Sequence, residues 1–156
     1  MQKIDVRRIS EAEANEIFKG LLRGHSDEFL QRFFKDAFQC EIDRIALPEK
    51  ERSYYIVSVD DRNEALFGIN HKIDQVFNVS SMGRLINKDK TEGWQYLKAI
   101  LELAIAQGVK RINAIVNDAG KRAFEKLKSN GALPKNWKIE CYSCGLLTNV
   151  SLHGQE

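Results

Sequence analysis

The chain has 156 residues, of which 43% are hydrophobic, so it is long enough to form a single domain with a packed core. Its 24 Lys and Arg residues nearly balance its 22 Asp and Glu residues, and the two signs are interleaved, which predicts no nucleic-acid partner. The odd number of cysteines, three, predicts a protein of the reducing cytoplasm without a disulfide framework. The N-terminus is polar and no apolar run is long enough to span a membrane, so no signal peptide and no membrane contact are predicted.

The first elements in chain order are a short strand over residues 3–9 and two helices. Ser10 begins a capping box, in which its hydroxyl accepts a hydrogen bond from the first helical turn and the glutamate at position 13 reaches back. Ser26 is predicted to cap the second helix, whose aromatic stripe begins at Phe29 and indicates a core-facing side.

Three strands of a meander are predicted next, over residues 54–59, 65–73 and 76–85. Residues 60–63 have the Asp and Asn composition of a turn between the first two strands. On the third strand, Asn78 begins a polar face opposite the apolar one. This pattern indicates either a wet cleft or a sheet face that no helix covers.

The stretch from Lys88 to Gly93 leads directly into a helix and has the composition of an anion-binding loop. The first N–H groups of a helix have no partner within it, and the helix dipole adds partial positive charge there. Lys88 and Lys90 would add charge, and Gly93 would let the backbone approach a phosphate closely. A solvated loop between a strand and a helix can have the same composition, so the loop alone leaves both interpretations open.

A helix, a strand and a further helix follow this loop. Gly108 is suited to the left-handed position that ends the first of these helices. Residues 111–116 alternate as a strand does, and Asn117 or Asp118 would cap the next helix. The apolar face of the first helix follows the helical period, with Leu97, Ile100, Leu101 and Ala104. A strand, a loop, a helix and a strand in this order predict a parallel strand pair.

The C-terminal part is predicted to hold a final strand or short hairpin over residues 137–150. Residues 151–156 are predicted to be a flexible tail, so that residues 1–150 form one domain. Cys141 and Cys144 lack the further ligands that zinc needs, and residues three apart on a strand point to opposite faces, so no metal site is predicted.

The predicted order of elements, β-α-α-β-β-β-α-β-α-β, resembles the GNAT-type N-acetyltransferases, an α/β fold with a mixed sheet. Residues 4–10 look like the first strand and helix cap of that family. In its signature loop, Lys88 stands at the basic position, Thr91 at the first glycine and Gly93 at the second. Asn117 matches the asparagine that often ends the fifth strand beside the cofactor.

The resemblance implies acetyl-CoA as co-substrate and direct acetyl transfer to the amine of a small molecule or a peptide. The pyrophosphate would lie on the N–H groups of residues 91–94. The pantetheine arm would lie along residues 84–86, where a bulge would splay the third meander strand from strand 111–116. The residues that the resemblance implies in cofactor binding are Arg84, Leu85, Ile86, Lys88, Lys90, Thr91, Glu92, Gly93, Trp94 and Asn117.

Departures from the family pattern concern the chemistry of transfer. Thr91 replaces a glycine and Lys88 replaces the usual Arg or Gln of the loop. Phe124 stands near the place of the tyrosine that often protonates the leaving thiolate. The resemblance leaves Asp74 as a candidate general base and Tyr142 as a candidate substitute acid.

Two further hypotheses remain open at this point. One is a fold of this type that binds CoA or another nucleotide without catalysis. The other is an interaction domain without a ligand. A monomer and a homodimer are both compatible with the sequence.

Overall fold

The computed structural model describes residues 2–22, 52–70, 75–84, 91–116, 118–144 and 147–154. In these ranges the strands are β1 (Ile4–Ile9), β2 (Arg52–Val59), β3 (Arg62–Asn70), β4 (Val76–Arg84), β5 (Arg111–Val116), β6 (Trp137–Cys144) and β7 (Leu147–Gly154). The helices are α1 (Glu11–Leu22), α2 (Gly93–Ala106) and α3 (Asp118–Ser129). The second predicted helix, after Ser26, lies outside the described residues.

The strands form one sheet in the order β1-β2-β3-β4-β5-β7-β6. Strands β4 and β5 pair in parallel, as predicted, and every other pair in the sheet is antiparallel. A tight turn joins β2 to β3, and both of its central residues have positive φ, 49° at Asp60 and 66° at Asp61. This turn confirms the predicted hairpin, because Asp tolerates the left-handed region better than most residues.

The main core lies between the sheet and helices α2 and α3. The buried residues of α2 are Tyr96, Leu97, Ile100, Leu101 and Ala104, which confirms the predicted apolar face. The α2 helix ends at Ala106, with Gln107 as its C-cap residue, and the following Gly108 has a φ of +79°, as its predicted capping position requires. From α3, Phe124 and Leu127 are fully buried in the same core.

Helix α1 packs on the opposite face of the sheet. Its Ala14 is buried in a second, smaller cluster with Ile56 of β2 and Leu66 of β3. The Ser10 hydroxyl accepts a hydrogen bond of 3.1 Å from the N–H of Glu13, which confirms the predicted cap. The sheet therefore has helices on both faces, with α1 over its N-terminal half.

The C-terminal segment is a hairpin of β6 and β7, and β7 inserts between β5 and β6. The prediction of a flexible tail is wrong for residues 151–154, because they belong to β7 and pair with both neighbouring strands. Val150 and Leu152 are 2% and 1% exposed, since alternate residues of β7 face the main core. Burial of that apolar face holds the end of the chain in the sheet.

Within the described ranges, no helix is long and apolar enough to cross a membrane. The same ranges bring together no group of three or more His, Cys, Asp or Glu side chains suited to a metal ion. Cys141 is an exposed free thiol on β6.

Candidate active site

Strands β4 and β5 diverge, and the gap between them is the most distinctive feature of the sheet. Their parallel pairing covers Val76 to Val79 of β4 and Arg111 to Ala114 of β5. Beyond that point residues 81–84 keep only their pairing with β3, and residues 115–116 keep only their pairing with β7. The described backbone therefore has a wedge-shaped opening at the carboxyl ends of these strands, edged by polar groups without a strand partner across it.

A β-bulge accounts for the divergence. Ile69 of β3 pairs with Val79, whereas the neighbouring Gly68 pairs with Ser81, so Ser80 is an extra residue in β4. A bulge bends its strand and increases the local twist, which turns the end of β4 away from β5. The sequence predicts a bulge near Arg84, but the structure places it upstream, at Ser80.

Helix α2 begins beside this opening, because it follows β4 in a strand-helix-strand crossover. Glu92 is its N-cap residue, with extended backbone angles of −87° and 156°. The N–H of Glu92 donates a hydrogen bond of 2.8 Å to Oε1 of Gln95, so the two residues form a capping box. The first turn of α2 is thus ordered from within the helix.

The Glu92 carboxylate is held by two donors from different parts of the chain. Lys126 Nζ of α3 lies 2.8 Å from its Oε1, and Trp94 Nε1 donates to its Oε2 at 2.9 Å. Sequence reasoning missed Lys126, because helical spacing on α3 gives no sign of a contact to α2. An acidic side chain at a helix N-terminus is stabilised by the dipole, and Lys126 offsets its charge.

Buried contacts fix the loop and the first turns of α2 to the sheet. Thr91 is fully buried, and its Oγ1 accepts a hydrogen bond of 3.2 Å from Gln2 Nε2. The Tyr96 hydroxyl donates a hydrogen bond of 2.8 Å to Oε1 of Glu64, a residue only 2% exposed. Glu64 occupies a bulge of β3, and Arg62 pairs with its other oxygen at 3.2 Å. These contacts position the helix N-terminus relative to β3.

Gly93 is the first residue of α2, and helix α3 passes close to it. A Cβ built on Gly93 would lie 3.4 Å from the Cβ of Ala123. This is an ordinary contact distance, so the packing of α2 against α3 leaves room for an alanine at this position but brings a larger side chain against Ala123. The approach of a phosphate to the Gly93 backbone stays a prediction.

A polar network lies on the sheet face opposite α2 and α3, next to the opening. Asn113 of β5 donates a hydrogen bond of 3.2 Å to Asn78 Oδ1 of β4. The Ser151 hydroxyl of β7 donates to Asn113 Oδ1 at 2.9 Å. Sequence analysis singled out only Asn78 of these residues, since the network depends on strand order and register. Asn78 and Asn113 are the pair directly before the last paired residues of β4 and β5.

Tyr142 lies on the edge strand β6, on the same sheet face, and is 61% exposed. Its hydroxyl donates a hydrogen bond of 3.1 Å to Glu140, whose other oxygen lies 3.2 Å from His153 Nε2. The hydrogen bond to Glu140 raises the pKa of Tyr142, and contacts with His153 and Tyr142 lower the pKa of Glu140. Two strand intervals separate β6 from β5, about 10 Å, so Tyr142 does not border the opening directly.

The other residues implied in function divide into two groups. Thr91, Glu92, Gly93 and Trp94 come together at the start of α2, and the backbone of Arg84 ends β4 beside the opening. The remaining predicted residues lie outside the described ranges, namely Asp74, Leu85, Ile86, Lys88, Lys90 and Asn117.

No family model matches the chain, and no curated protein matches it significantly. Solved structures match it over nearly its whole length. The N-acetyltransferase PseH of Campylobacter jejuni is 14% identical with a TM-score of 0.57, and the match covers 96% of this chain and 97% of PseH. A structure of PseH in complex with acetyl coenzyme A is 15% identical, with a TM-score of 0.57 and coverage of 97% and 99%.

A second similar protein is the aminoglycoside acetyltransferase AAC(6′)-Ib, solved in complex with coenzyme A and kanamycin. It is 10% identical with a TM-score of 0.62, and the match covers 98% of this chain and 95% of that one. At such low identity the similarity establishes the fold. The chain has the GNAT-type N-acetyltransferase fold, a mixed α/β architecture, as the order of elements predicted.

Proposed function

We propose that this chain is an N-acetyltransferase that moves the acetyl group of acetyl-CoA directly to an amine. The observation that carries the proposal is the opening between β4 and β5, placed beside the N-terminus of α2. Acetyl-CoA has a long arm with two amides, which can pair with unpaired strand backbone. It also has a pyrophosphate, which can bind at the N-terminus of a helix. Unpaired backbone at the end of β4 and the N-terminus of α2, the next described element along the chain, support the proposal.

The residues present fit the two ends of CoA in different ways. The backbone of residues 81–84 is extended and unpaired towards β5, so it suits the two amides of the pantetheine arm. The N–H groups at the start of α2 suit the pyrophosphate, with Lys88 and Lys90 as proposed further donors. Glu92 opposes this charge, and Lys126, at 2.8 Å from it, compensates.

In the proposed reaction, a neutral amine attacks the thioester carbonyl, the new C–N bond forms and the C–S bond breaks. The amine loses a proton and the thiolate gains one. Asp74 as base and Tyr142 as acid remain predictions, and Tyr142 would act through water, since it lies about 10 Å from β5. A thiol pKa near 8.5 makes the thiolate a tolerable leaving group without a strong acid.

The acceptor is proposed to be an amine because the similar structures include N-acetyltransferases, one of them with kanamycin bound. A second candidate function is CoA binding without catalysis. One observation favours it: Phe124, which the resemblance places near the position of the family's tyrosine, is fully buried in the core and has no proton to donate.

Calorimetric titration with CoA tests the shared part of both functions. We expect a dissociation constant in the micromolar range, about 8 kcal/mol, that weakens as salt rises because phosphates and lysines contribute. Incubation with acetyl-CoA and a panel of amines then distinguishes the two functions, because an N-acetyltransferase releases free CoA thiol and a protein that only binds CoA does not. No heat and no stabilisation at millimolar CoA would remove both proposals.

A further inference from the structure

Strands β5, β7 and β6 present a grid of side chains on the sheet face opposite α2 and α3, here called the acceptor face. Their neighbours along each strand point into the main core, so these residues point away from it. The register aligns them in three rows across the strands: Arg111, His153 and Lys138, then Asn113, Ser151 and Glu140, then Ile115, Asn149 and Tyr142. Residues in one row lie about 5 Å apart.

The side chains of the three rows differ in polarity and charge, which change along the strand direction from the opening to the farthest row. The row at the opening has two exposed large hydrophobic side chains, Ile115 at 63% and Tyr142 at 61%, with the polar Asn149 between them. Ile115 directly follows Ala114, the last residue of β5 that pairs with β4. The middle row is polar, and the row farthest from the opening is basic. Four residues of strand separate Arg111 from Ile115, about 13 Å.

Charge on the acceptor face favours an anion at its far row. Glu140 is the one carboxylate in the grid, and its oxygens already contact His153 and Tyr142. Within the part of the chain that the structure describes, the Arg111 side chain makes a long contact of 3.5 Å to the Ser151 hydroxyl and attracts the Glu140 carboxylate at longer range. Both Arg111 and Lys138 are exposed. Arg111 of β5 and Lys138 of β6 lie on either side of His153 of β7, about 10 Å apart across the sheet. Their long side chains can face one ligand, and charge complementarity selects partners of the opposite sign.

We propose that the acceptor is a small amine that carries an anionic group, a phosphate or a carboxylate, about 13 Å from its amine. This proposal rests on the proposed function, since it places the amine at the opening and the anion on Arg111 and Lys138. Ile115 and Tyr142 would contact the part of the acceptor next to the amine. A polycationic amine of the same length would meet Arg111 and Lys138 as like charges, so it is disfavoured.

The test compares three acceptors of one chain length: an ω-aminoalkyl phosphate, an ω-amino carboxylate and a diamine. We expect kcat/KM with acetyl-CoA to be about tenfold higher for the anionic acceptors than for the diamine. The phosphate and carboxylate arms show which anion is preferred. A series of chain lengths is expected to peak near a separation of about 13 Å. A diamine used as well as the anionic acceptors would overturn the proposal.

Substitutions in the basic row test whether Arg111 and Lys138 cause the preference for anionic acceptors. Arg111→Gln and Lys138→Gln are expected to raise KM for the anionic acceptors about five- to tenfold, with kcat little changed, and to leave the diamine unaffected. Lys128→Gln, an exposed lysine on α3 at the other face, is the matched control and should change neither acceptor. Equal losses with anionic acceptors and diamine in the Arg111 and Lys138 variants would contradict an anion site.

Binding without CoA separates this proposal from the proposed function. The ω-aminoalkyl phosphate is titrated into the protein while amide chemical shifts of β5, β6 and β7 are followed by NMR. One outcome is a saturable change in chemical shifts that Arg111→Gln abolishes, together with no acetyl transfer to any acceptor. That result would support the anion-binding site and contradict the proposed N-acetyltransferase function. Acetyl transfer without any preference for anionic acceptors would support the proposed N-acetyltransferase function and contradict the proposal of an anionic acceptor.

Discussion

Gly93 begins helix α2 and lies against Ala123 of helix α3, so its substitutions test why a glycine is there. Gly93→Ala adds a Cβ at 3.4 Å from the Cβ of Ala123, an ordinary contact distance. Because alanine is also the better helix former, we expect stability to be kept and CoA affinity to stay within about twofold. Thermal unfolding and calorimetry measure the two quantities.

Gly93→Val is the companion variant, since its extra methyl groups must push α3 away. We expect it to lose about 1–3 kcal/mol of stability through overpacking. A stable Gly93→Ala protein with a tenfold loss of CoA affinity would instead indicate that a phosphate approaches this backbone.

Tyr142 and Glu140 form an exposed pair whose titration is a second prediction at this scale. Glu140 raises the pKa of Tyr142, so Glu140→Gln should lower that pKa towards its ordinary value near 10. The pair's contribution to stability is present below the ordinary pKa of tyrosine and is lost as pH rises through the raised one. NMR of labelled tyrosine gives the titration, and Tyr142→Phe assigns the signal. An identical titration in Glu140→Gln would contradict the coupling.

At the scale of elements, helix α2 is joined to strand β3 by a buried hydrogen bond between Tyr96 and Glu64. Tyr96→Phe would leave one oxygen of a buried carboxylate without its donor, which costs about 1–3 kcal/mol. Urea unfolding measures the loss. We expect CoA to bind more weakly too, because the start of α2 would be less firmly placed.

The chain supplies a matched control for this variant. Tyr142 also donates its hydroxyl to a glutamate, at 3.1 Å instead of 2.8 Å, but on the exposed face of β6. Tyr142→Phe should therefore leave the free energy of unfolding nearly unchanged. Equal effects of the two substitutions would show that the Glu64 contact does not hold α2.

At the scale of the whole molecule, strand β7 connects β6 to the rest of the sheet, because it lies between β5 and β6. Deletion of residues 151–156 removes Leu152, which is 1% exposed, and the pairing of β7 with two strands. We expect a loss of several kcal/mol or failure to fold, since burial of one leucine alone contributes about 2 kcal/mol. Deletion of residues 155–156 is the control and should have little effect. A flexible tail would make the two deletions equivalent in thermal unfolding.

The fold has consequences for function at this scale as well. The acceptor face and the start of α2 lie on opposite sides of the sheet, and the opening between β4 and β5 joins them. If the proposed function holds, the acyl donor and the acceptor would approach the same gap from different sides. A cytoplasmic location, and a monomer or homodimer in solution, stay predictions.

The sequence by itself determined the elements whose signals are local. Helical period identified the buried face of α2 from Leu97 to Ala104, and Gly108 marked its end. Alternation identified β5, and the order of strand, loop, helix and strand implied its parallel pairing with β4. These features could be predicted because propensity, capping and amphipathic period act between residues a few positions apart.

Only the tertiary structure decided the features that depend on register. The bulge at Ser80 sets where β4 leaves β5, yet nothing in the local pattern distinguishes Ser80 from its neighbours. Lys126 reaches Glu92 only because α3 packs beside α2, and Leu152 is buried only because β7 inserts between β5 and β6. Contacts of this kind join residues far apart in the chain. They follow from strand order and helix packing, which the period of a single segment does not encode.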